Sequence, residues 1–464
     1  MKARRNNYNG QRVTIMGLGL NGGGLASARF FAERGAQVTV TDMKGEELLK
    51  PSIEALQSYS IRYVLGRHED EDFSGADIVI KNPAVRPDNR FLTLAKRVET
   101  DMSIFLSCVP CPVIAVTGSK GKSTTASAIH HILTACGADS HLGGNITISP
   151  LTFLETVNED SVVVLELSSW QLGDLKDSTC LKPKIAIITH IVPDHLDRYG
   201  TMEKYIADKR LIYKNQTKED YTVCEYDDWG LSFAGETGGQ PVLFGTARHP
   251  SLPSAVLGDE ETGRLFLRDG EFPLLPKELA VAGRHNRLNL LAAAPAAKLY
   301  GLDAGAISKA AASFPGVEHR MEKFAVANEV EWFNDSAATV PQAVAAAVET
   351  LSGKHVVLIT GGTDKELDFE PLLDDYAKAD CRILLAGSGS DKLIALFGKR
   401  GLSYQGPYGS IEEAIEAAIA AAKPGSAVVL SPGCTSFGMF KNEFDRGLRF
   451  KVAVKARLGL SINS

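Results

Sequence analysis

The run Thr117-Gly-Ser-Lys-Gly-Lys122-Ser123-Thr124-Thr125 follows the apolar stretch Val113-Ile-Ala-Val and leads into a helical pattern. A glycine turn between a strand and a helix aims backbone amides at a phosphate, and the helix N-terminus adds its own positive end. In that frame Gly118, Gly121 and Thr124 belong to the cradle, Lys122 would neutralise β- and γ-phosphates, and Ser123 would reach Mg²⁺. The strict G-x-x-x-x-G-K-[ST] spelling asks for glycine at 116, where Val116 stands, so this loop is a shortened relative of that motif. A plain glycine turn before a helix is the competing reading.

Other residues suit the same chemistry. Glu166 ends the next apolar run, followed by Leu-Ser-Ser-Trp-Gln, and a carboxylate at a strand's C-terminal end can bind Mg²⁺ directly or through water. His190-Ile-Val-Pro-Asp194-His195-Leu-Asp197 packs four ligand-type side chains into eight positions at the end of another strand, which points to metal binding by at least one of them. Gly17-x-Gly19-x-x-Gly22 fits a dinucleotide fingerprint, with Asp42 placed 20 residues past Gly22 to meet a ribose hydroxyl. That motif speaks for a diphosphate-bearing ligand; NAD(P), another nucleotide and ordinary turn glycines all remain open. Lys209 lies on an expected helix over 202–213 and by default is a solvated lysine. Lys365 follows a strand end in Gly361-Gly-Thr-Asp-Lys365, where an anionic group could dock.

These residues need strand ends to hold them, and three stretches supply strand, glycine turn and helix in succession. The first has strands at 12–16, 37–41 and 76–81; continuous apolar runs mark them as parallel. The second opens at Val113 and continues with strands at 161–165 and 184–189. Residues 225–280 are turn-rich with short alternating runs, which predicts a small antiparallel appendage. A helix from Gly283 to Tyr300 follows. After Ser313-Phe-Pro-Gly316 the alternation resumes: strands at 330–334, 355–360, 381–385 and 427–430, helices at 341–351 and 410–422. The expectation is three consecutive α/β domains, the last of them doubly wound.

Composition sets the outer limits. A chain of 464 residues with 44% hydrophobic and 23% charged residues is neither disordered nor fibrous. Fifty Lys and Arg against 56 Asp and Glu leave a net charge of −6, which disfavours bulk nucleic-acid binding. No apolar run approaches the roughly 18 residues that a bilayer requires, and the basic start reads as no signal peptide. Seven scattered cysteines argue against a disulfide framework, and Cys108-x-x-Cys111 stands without a second pair. A soluble, cytoplasmic, multidomain enzyme is expected, with a monomer as the default.

Taken in order, the motifs resemble those of the Mur ligases. They are Thr117-Gly-x-x-Gly-Lys-Ser-Thr-Thr, Glu166-Leu-Ser-Ser-x-Gln-Leu, Asp194-His-Leu-Asp-Arg-Tyr199 and Gly283-x-His-Asn-x-x-Asn289, then His319-Arg320, Asn334-Asp-Ser-x-Ala-Thr339, Ser431-Pro-x-Cys-x-Ser436 and Phe-Lys-Asn442. The resemblance spans nearly the whole chain. It implies an α/β protein of three domains: a Rossmann-like UDP-binding domain over 1–103, a central P-loop-type ATPase domain over 104–314, and a C-terminal Rossmann-like amino-acid-binding domain over 315–464.

It also implies an activity, the ATP-dependent addition of D-glutamate to UDP-N-acetylmuramoyl-L-alanine through an acyl phosphate, with release of ADP and phosphate. Leu20, Asn21 and Asp42 would hold UDP rather than NAD, and Asn145 would touch the muramoyl group. Lys122, Ser123 and Glu166 would form the ATP–Mg²⁺ site, with His195 on a second Mg²⁺. Lys209 matches a lysine that takes up CO₂ as a carbamate and then ligates that second ion. Asn286 and Asn289 would meet adenine, Arg320 and Asp335 the phosphates and ribose, and Thr339, Lys365 and Ser436 the amino acid's carboxylates. Three positions depart from the family pattern: Ala337 replaces its usual lysine, Glu443 intervenes before the aromatic Phe444, and Lys120 stands where asparagine is common. The first two fall near the amino-acid pocket, so a sister ligase adding another amino acid, or L-glutamate, stays in view. A hydride-transferring dehydrogenase is the rival from another class, and it leaves Lys122, Glu166 and His195 unexplained.

Overall fold

The computed structural model describes residues 8–19, 22–146, 148–245, 255–258, 262–281, 283–364, 367–436 and 438–461. Leu20, Asn21 and Lys365, three of the expected binding residues, lie outside the described residues. The chain divides into two compact units, Met1–Leu279 with His285–Phe314, and Ala280–Arg284 with Pro315–Ser464.

The first unit contains two sheets. One comprises β1 (Arg12–Met16), β2 (Gln37–Asp42), β3 (Ile61–Leu65), β4 (Ile78–Lys81) and β5 (Val98–Glu99), in the order β3-β2-β1-β4-β5. All of its pairings are parallel, as the apolar runs predict. The other comprises β6 (Val113–Thr117), β7 (Ser140–Gly144), β8 (Val162–Glu166), β9 (Ile185–Ile188), β10 (Tyr221–Glu225), β11 (Gln240–Gly245), β12 (Ala255–Gly258), β13 (Gly263–Leu267) and β14 (Gly270–Leu275). Their order is β14-β13-β12-β11-β10-β9-β6-β8-β7. Every residue of β6, β8 and β9 is buried, so these runs form the floor of the unit. Chain order reverses at β6, which lies between β8 and β9, and such a switch point opens a crevice at the strands' carboxyl ends.

The expected appendage over 225–280 is corrected here. β11 and β12 continue the central sheet in parallel, and only β13 and β14 run antiparallel at its edge. Alternation of side chains betrays a strand with one wet face, yet it does not say which neighbour that strand will pair with. The two sheets of this unit are joined by a buried ion pair, Lys81 Nζ to Asp174 Oδ2 at 2.7 Å, and by Ser149 Oγ donating to Asp101 Oδ2 at 2.8 Å.

The second unit is one sheet, β15 (Glu322–Ala327), β16 (Val330–Asn334), β17 (Val356–Gly361), β18 (Cys381–Leu385), β19 (Gln405–Tyr408) and β20 (Ala427–Leu430), ordered β15-β16-β20-β17-β18-β19. β15 pairs antiparallel with β16 and the rest are parallel. β20 inserts between β16 and β17, so the loops after Asn334 and Leu430 emerge side by side. Strands β15 and β19 and the helices Ser388–Arg400 and Glu443–Arg457 were not anticipated from the sequence pattern.

Candidate active site

The loop after β6 is held in shape from its underside. Gly118 and Gly121 have φ of 145° and 89°, a region that side chains disfavour. A Cβ at Gly118 would overlap Thr189 Oγ1, and one at Gly121 would overlap Asn289 Oδ1. His190 O accepts the amides of both Ser119 (2.9 Å) and Lys120 (3.1 Å). Ser119 Oγ donates to Val192 O at 2.8 Å and receives Val192 N and Tyr205 OH, each at 3.1 Å. The helix Lys122–Ala135 then begins, carrying Ser123 and Thr124 in its first turn.

Two expected residues bond this loop, and Glu166 with Asn145 stands at the end of the strand beside the one that leads into it. Lys122 Nζ donates to the carbonyls of Gly118 (3.0 Å) and Ser119 (2.9 Å). Lys209 Nζ, from the helix Met202–Arg210, donates to the same Gly118 O at 2.7 Å. Lys209 is only 1% exposed, with its amine 4.4 Å from the centre of the Tyr205 ring. Burial, reinforced by the nearby Lys122 charge, lowers its pKa from 10.5 to about 6. Glu166, at the end of β8, is in register with Val116 of β6. Its Oε1 accepts Asn145 Nδ2 at 2.9 Å, which joins the residue expected at the muramoyl group to the one expected at Mg²⁺. Among the described residues its buried Oε2 has no hydrogen-bond partner. A dry carboxylate oxygen with an open lone pair is a fitting ligand for a hard cation.

His195 caps the short helix Leu196–Tyr199 with a left-handed φ of 52°. Its ring lies 5.2 Å from that of Trp170 and 6.4 Å from that of Tyr205. Asp194 Oδ2 pairs with Lys120 Nζ at 3.2 Å. Burial works to raise the Asp194 pKa, but the Lys120, His195 and Lys122 charges outweigh it and hold the carboxyl below its usual value. Asn286 and Asn289 lie one turn apart on the helix Arg284–Tyr300, and the backbone carbonyl of Asn289 accepts Thr125 Oγ1 at 3.5 Å. Asp42 is buried at the end of β2; its Oδ2 accepts Gly19 N at 3.1 Å and its Oδ1 accepts Lys44 N at 2.9 Å, bracing the first glycine loop.

Two clusters among the described residues bring three His, Cys, Asp or Glu ligand atoms within 4.8 Å: His190 with Glu225 and Asp227, and Glu318 with His319 and Glu322. Neither contains Glu166 or His195. Each is already bonded within the protein. His190 Nδ1 meets Glu225 Oε2 at 2.8 Å, Asp227 caps the helix Asp228–Glu236, and Lys451 bridges Glu318 and Glu322 at 2.7 Å each.

In the second unit, Asp335 follows β16 and both its oxygens have internal partners: Ser431 Oγ at 2.8 Å and Met321 N at 3.1 Å. Burial raises its pKa to about 7. Arg320 is exposed, Thr339 is half-buried just ahead of the helix Pro341–Thr350, and Ser436 is buried. The sequence reading missed Arg446, which is fully buried and ties two loops together. It donates to Ser336 Oγ (2.9 Å), Ser336 O (2.8 Å) and Cys434 O (3.2 Å). Gly447 follows because a Cβ there would overlap His319 Nδ1. Tyr205 was missed as well, although its spacing of four from Lys209 puts both on one helix face. No helix among the described residues is long and apolar enough to cross a membrane.

Three family models match along the chain. Residues 11–103 match the Mur ligase MurD-like N-terminal domain, 116–297 the Mur ligase middle domain, and 319–434 the Mur ligase glutamate ligase domain. The UDP-N-acetylmuramoylalanine–D-glutamate ligase of Treponema pallidum (strain Nichols) is 39% identical, with 98% of this chain and 99% of that protein covered. The protein of the same name from Roseiflexus sp. (strain RS-1) is 41% identical, covering 96% of this chain and 99% of its own. Among solved structures, UDP-N-acetylmuramate–alanine ligase MurC from Thermotoga maritima superposes with a TM-score of 0.61 at 20% identity, over 96% of this chain and 100% of its own. MurF ligase from the same organism, in complex with ADP, gives 0.57 at 18%, over 91% and 95%. At such identities the structures speak for the fold, while the full-length relatives speak for kinship: the chain belongs to the Mur ligase family.

Proposed function

We propose that this protein is the ligase that adds D-glutamate to UDP-N-acetylmuramoyl-L-alanine in peptidoglycan synthesis, driven by ATP. Its relatives across almost the full length carry that activity in their names. The observation that carries the chemistry is that Lys122 and Lys209 both donate to the Gly118 carbonyl of the glycine loop, while Glu166 ends the strand beside Val116, just ahead of that loop. Three domains over 1–103, 104–314 and 315–464 would divide the work between UDP-sugar, ATP and amino acid, in the cytoplasm and as a monomer.

The reaction has two steps. The acceptor's terminal carboxylate takes the γ-phosphoryl group of ATP, giving an acyl phosphate and ADP. The amine of glutamate then attacks the acyl carbon, and the tetrahedral intermediate collapses to amide and phosphate. Gly118, Gly121, Lys122, Ser123 and Thr124 would cradle the phosphates, and Lys122 would offset charge developing on the transferred group. Asn286 and Asn289 would meet adenine, with Arg320 and Asp335 toward phosphate and ribose. Asp42 and Asn145 would hold the UDP-sugar, and the Asn145–Glu166 bond supports bringing the acceptor's carboxylate beside the metal ligands. Thr339, Lys365 and Ser436 would grip glutamate. Two Mg²⁺ ions, held by Ser123, Glu166, His195 and the Lys209 carbamate, would neutralise phosphate oxygens. The orphaned Glu166 Oε2 and the neutral Lys209 amine suit those roles.

The test is ADP release measured with UDP-N-acetylmuramoyl-L-alanine and a panel of amino acids that includes both glutamate enantiomers. Turnover is expected to require acceptor and D-glutamate together. Preference for L-glutamate or another amino acid would overturn the substrate assignment, and ATP hydrolysis indifferent to both substrates would overturn the ligase reading.

A further inference from the structure

Two bonds that cross between the sheets of the first unit start from the same place. Lys81 ends β4 in register with Met16, the last residue of β1, so it stands beside the glycine loop that opens at Gly17. Asp101 opens the helix Asp101–Cys108 just after β5. Both line one cavity with Gly17, Gly23 and Asn82, where the chain order of that sheet reverses at β1. Lys81 Nζ donates to Asp174 Oδ2 at 2.7 Å and to Val85 O at 2.9 Å, and both ionic side chains are buried. Asp101 Oδ2 accepts Ser149 Oγ at 2.8 Å. The partners lie just beyond Glu166 and Asn145. Asp174 ends the helix Ser169–Asp174, which begins three residues after Glu166, and Ser149 lies four residues after Asn145. These two loops meet in the Asn145–Glu166 bond, and Leu167 O accepts Thr117 Oγ1 at 2.7 Å at the start of the phosphate loop. Gly173 packs against Asp208, next to Lys209; a Cβ there would come within 2.7 Å of Asp208 Oδ2. A buried ion pair adds little stability over apolar side chains of similar size; what it supplies is a fixed length and direction.

We propose that Lys81 and Asp101 are positioning residues of the phosphoryl-transfer step: by fixing the first sheet against the loops after Asn145 and Glu166, they set where the acceptor's terminal carboxylate meets the γ-phosphate of ATP. This rests on reading the first glycine loop as the UDP-sugar site and the second as the ATP site. The acceptor is then held at its UDP end over one sheet and reacts at its other end over the next, so a small rotation between the sheets is magnified at the reacting atoms. A misplacement of about 1 Å there costs about a hundredfold in rate. Neither side chain needs to touch the reacting atoms.

The experiment compares wild type, Lys81→Met/Asp174→Leu and Ser149→Ala in the full chain with Mg²⁺. Melting temperature reads stability, and calorimetry reads binding of UDP-N-acetylmuramoyl-L-alanine and of the β,γ-imido analogue of ATP. Rapid quench reads the single-turnover rate of ADP formation. The apolar pair is expected to melt close to wild type and to bind both ligands within about twofold, yet to form ADP about tenfold or more slowly. Ser149→Ala, which removes one hydroxyl, is expected to slow ADP formation about threefold at unchanged binding, and it decides the proposal alone if the apolar pair melts far below wild type. A wild-type rate in the apolar pair makes Lys81 a structural residue only and overturns its assignment. An unchanged rate in Ser149→Ala overturns that of Asp101, and a rate loss matched by weaker acceptor binding in either variant overturns positioning in favour of a pocket contact. Each of these leaves the ligase reading standing, whereas a wild-type protein that forms no ADP in response to the acceptor overturns that reading itself.

Discussion

Replacing Lys209 with methionine removes a side chain whose burial opposes folding. In the folded protein its pKa is about 6, against 10.5 for an ordinary lysine. The unfolded chain thus binds one more proton between those values, and stability rises with pH across that window; below about pH 6 both states are protonated and the slope vanishes. Near pH 7.5, releasing that proton costs about 4 kcal/mol, at 1.36 kcal/mol for each unit below the ordinary value. Methionine fills similar space and bears no such cost, while losing the bond to Gly118 O forfeits about 1 kcal/mol. The variant should therefore be more stable by about 3 kcal/mol near pH 7.5 and by only about 1 kcal/mol near pH 9.

The assay is urea unfolding of wild type and Lys209→Met across that pH range, in metal-free buffer depleted of CO₂. Tryptophan fluorescence would be followed in a Trp332→Phe background, so that Trp170 and Trp229 report on the first unit. A stability difference that ignores pH, or a variant weaker than wild type near pH 7.5, would refute the reasoning. The same depressed pKa has a chemical face. Near pH 7.5 about 97% of the amine is neutral, whereas an ordinary lysine is about 0.1% neutral, a gain of nearly a thousandfold in the form that attacks CO₂. The nitrogen forms the bond to carbon and the amine proton leaves to solvent. A carbamate resonance should then appear in ¹³CO₂-treated wild type and be missing from the variant, which should be inactive despite its stability.

Two further outcomes follow from buried charge. Glu166→Gln should lower kcat by about a hundredfold or more while raising the melting temperature slightly, because it neutralises a buried oxygen that lacks a partner. A calorimetric scan alongside the ADP assay checks both, and a drop in melting temperature would count against the orphaned oxygen. Lys81→Met should destabilise the first unit by about 3–5 kcal/mol by stranding Asp174, and adding Asp174→Leu should restore most of that loss, which denaturant titration of the three variants will measure.

What was legible in the sequence depended on range. The strand, glycine turn and helix start over Thr117 to Thr125 could be read because they form one short contiguous segment, whose requirements all act on neighbouring residues. The strands flanking it could be read for a similar reason, since continuous apolar runs bounded by turns are local. β13 and β14 are antiparallel as their alternation predicts, whereas β11 and β12 were misassigned, because pairing is a long-range property and an alternating run leaves its neighbour unnamed. Arg446 was invisible for a stronger reason. It lies in Glu443-Phe-Asp-Arg-Gly-Leu-Arg-Phe-Lys, a helix that the sequence pattern did not announce, and only the side-by-side emergence of the loops after β16 and β20 gives its guanidinium three acceptors.

Lys209 lies between these cases. Resemblance picked out the position, yet the property that would make it useful comes first from burial beside Tyr205 and then from the charge of Lys122, far off in the sequence. Tyr205 also bonds Ser119, so the side chain that buries the amine also anchors the loop that the amine touches. A motif can therefore state which group performs a step, while the charge on that group is decided by contacts that the fold alone assembles. For that reason the pH dependence of Lys209→Met is a sharper test of this site than loss of activity, which any of its neighbours could cause.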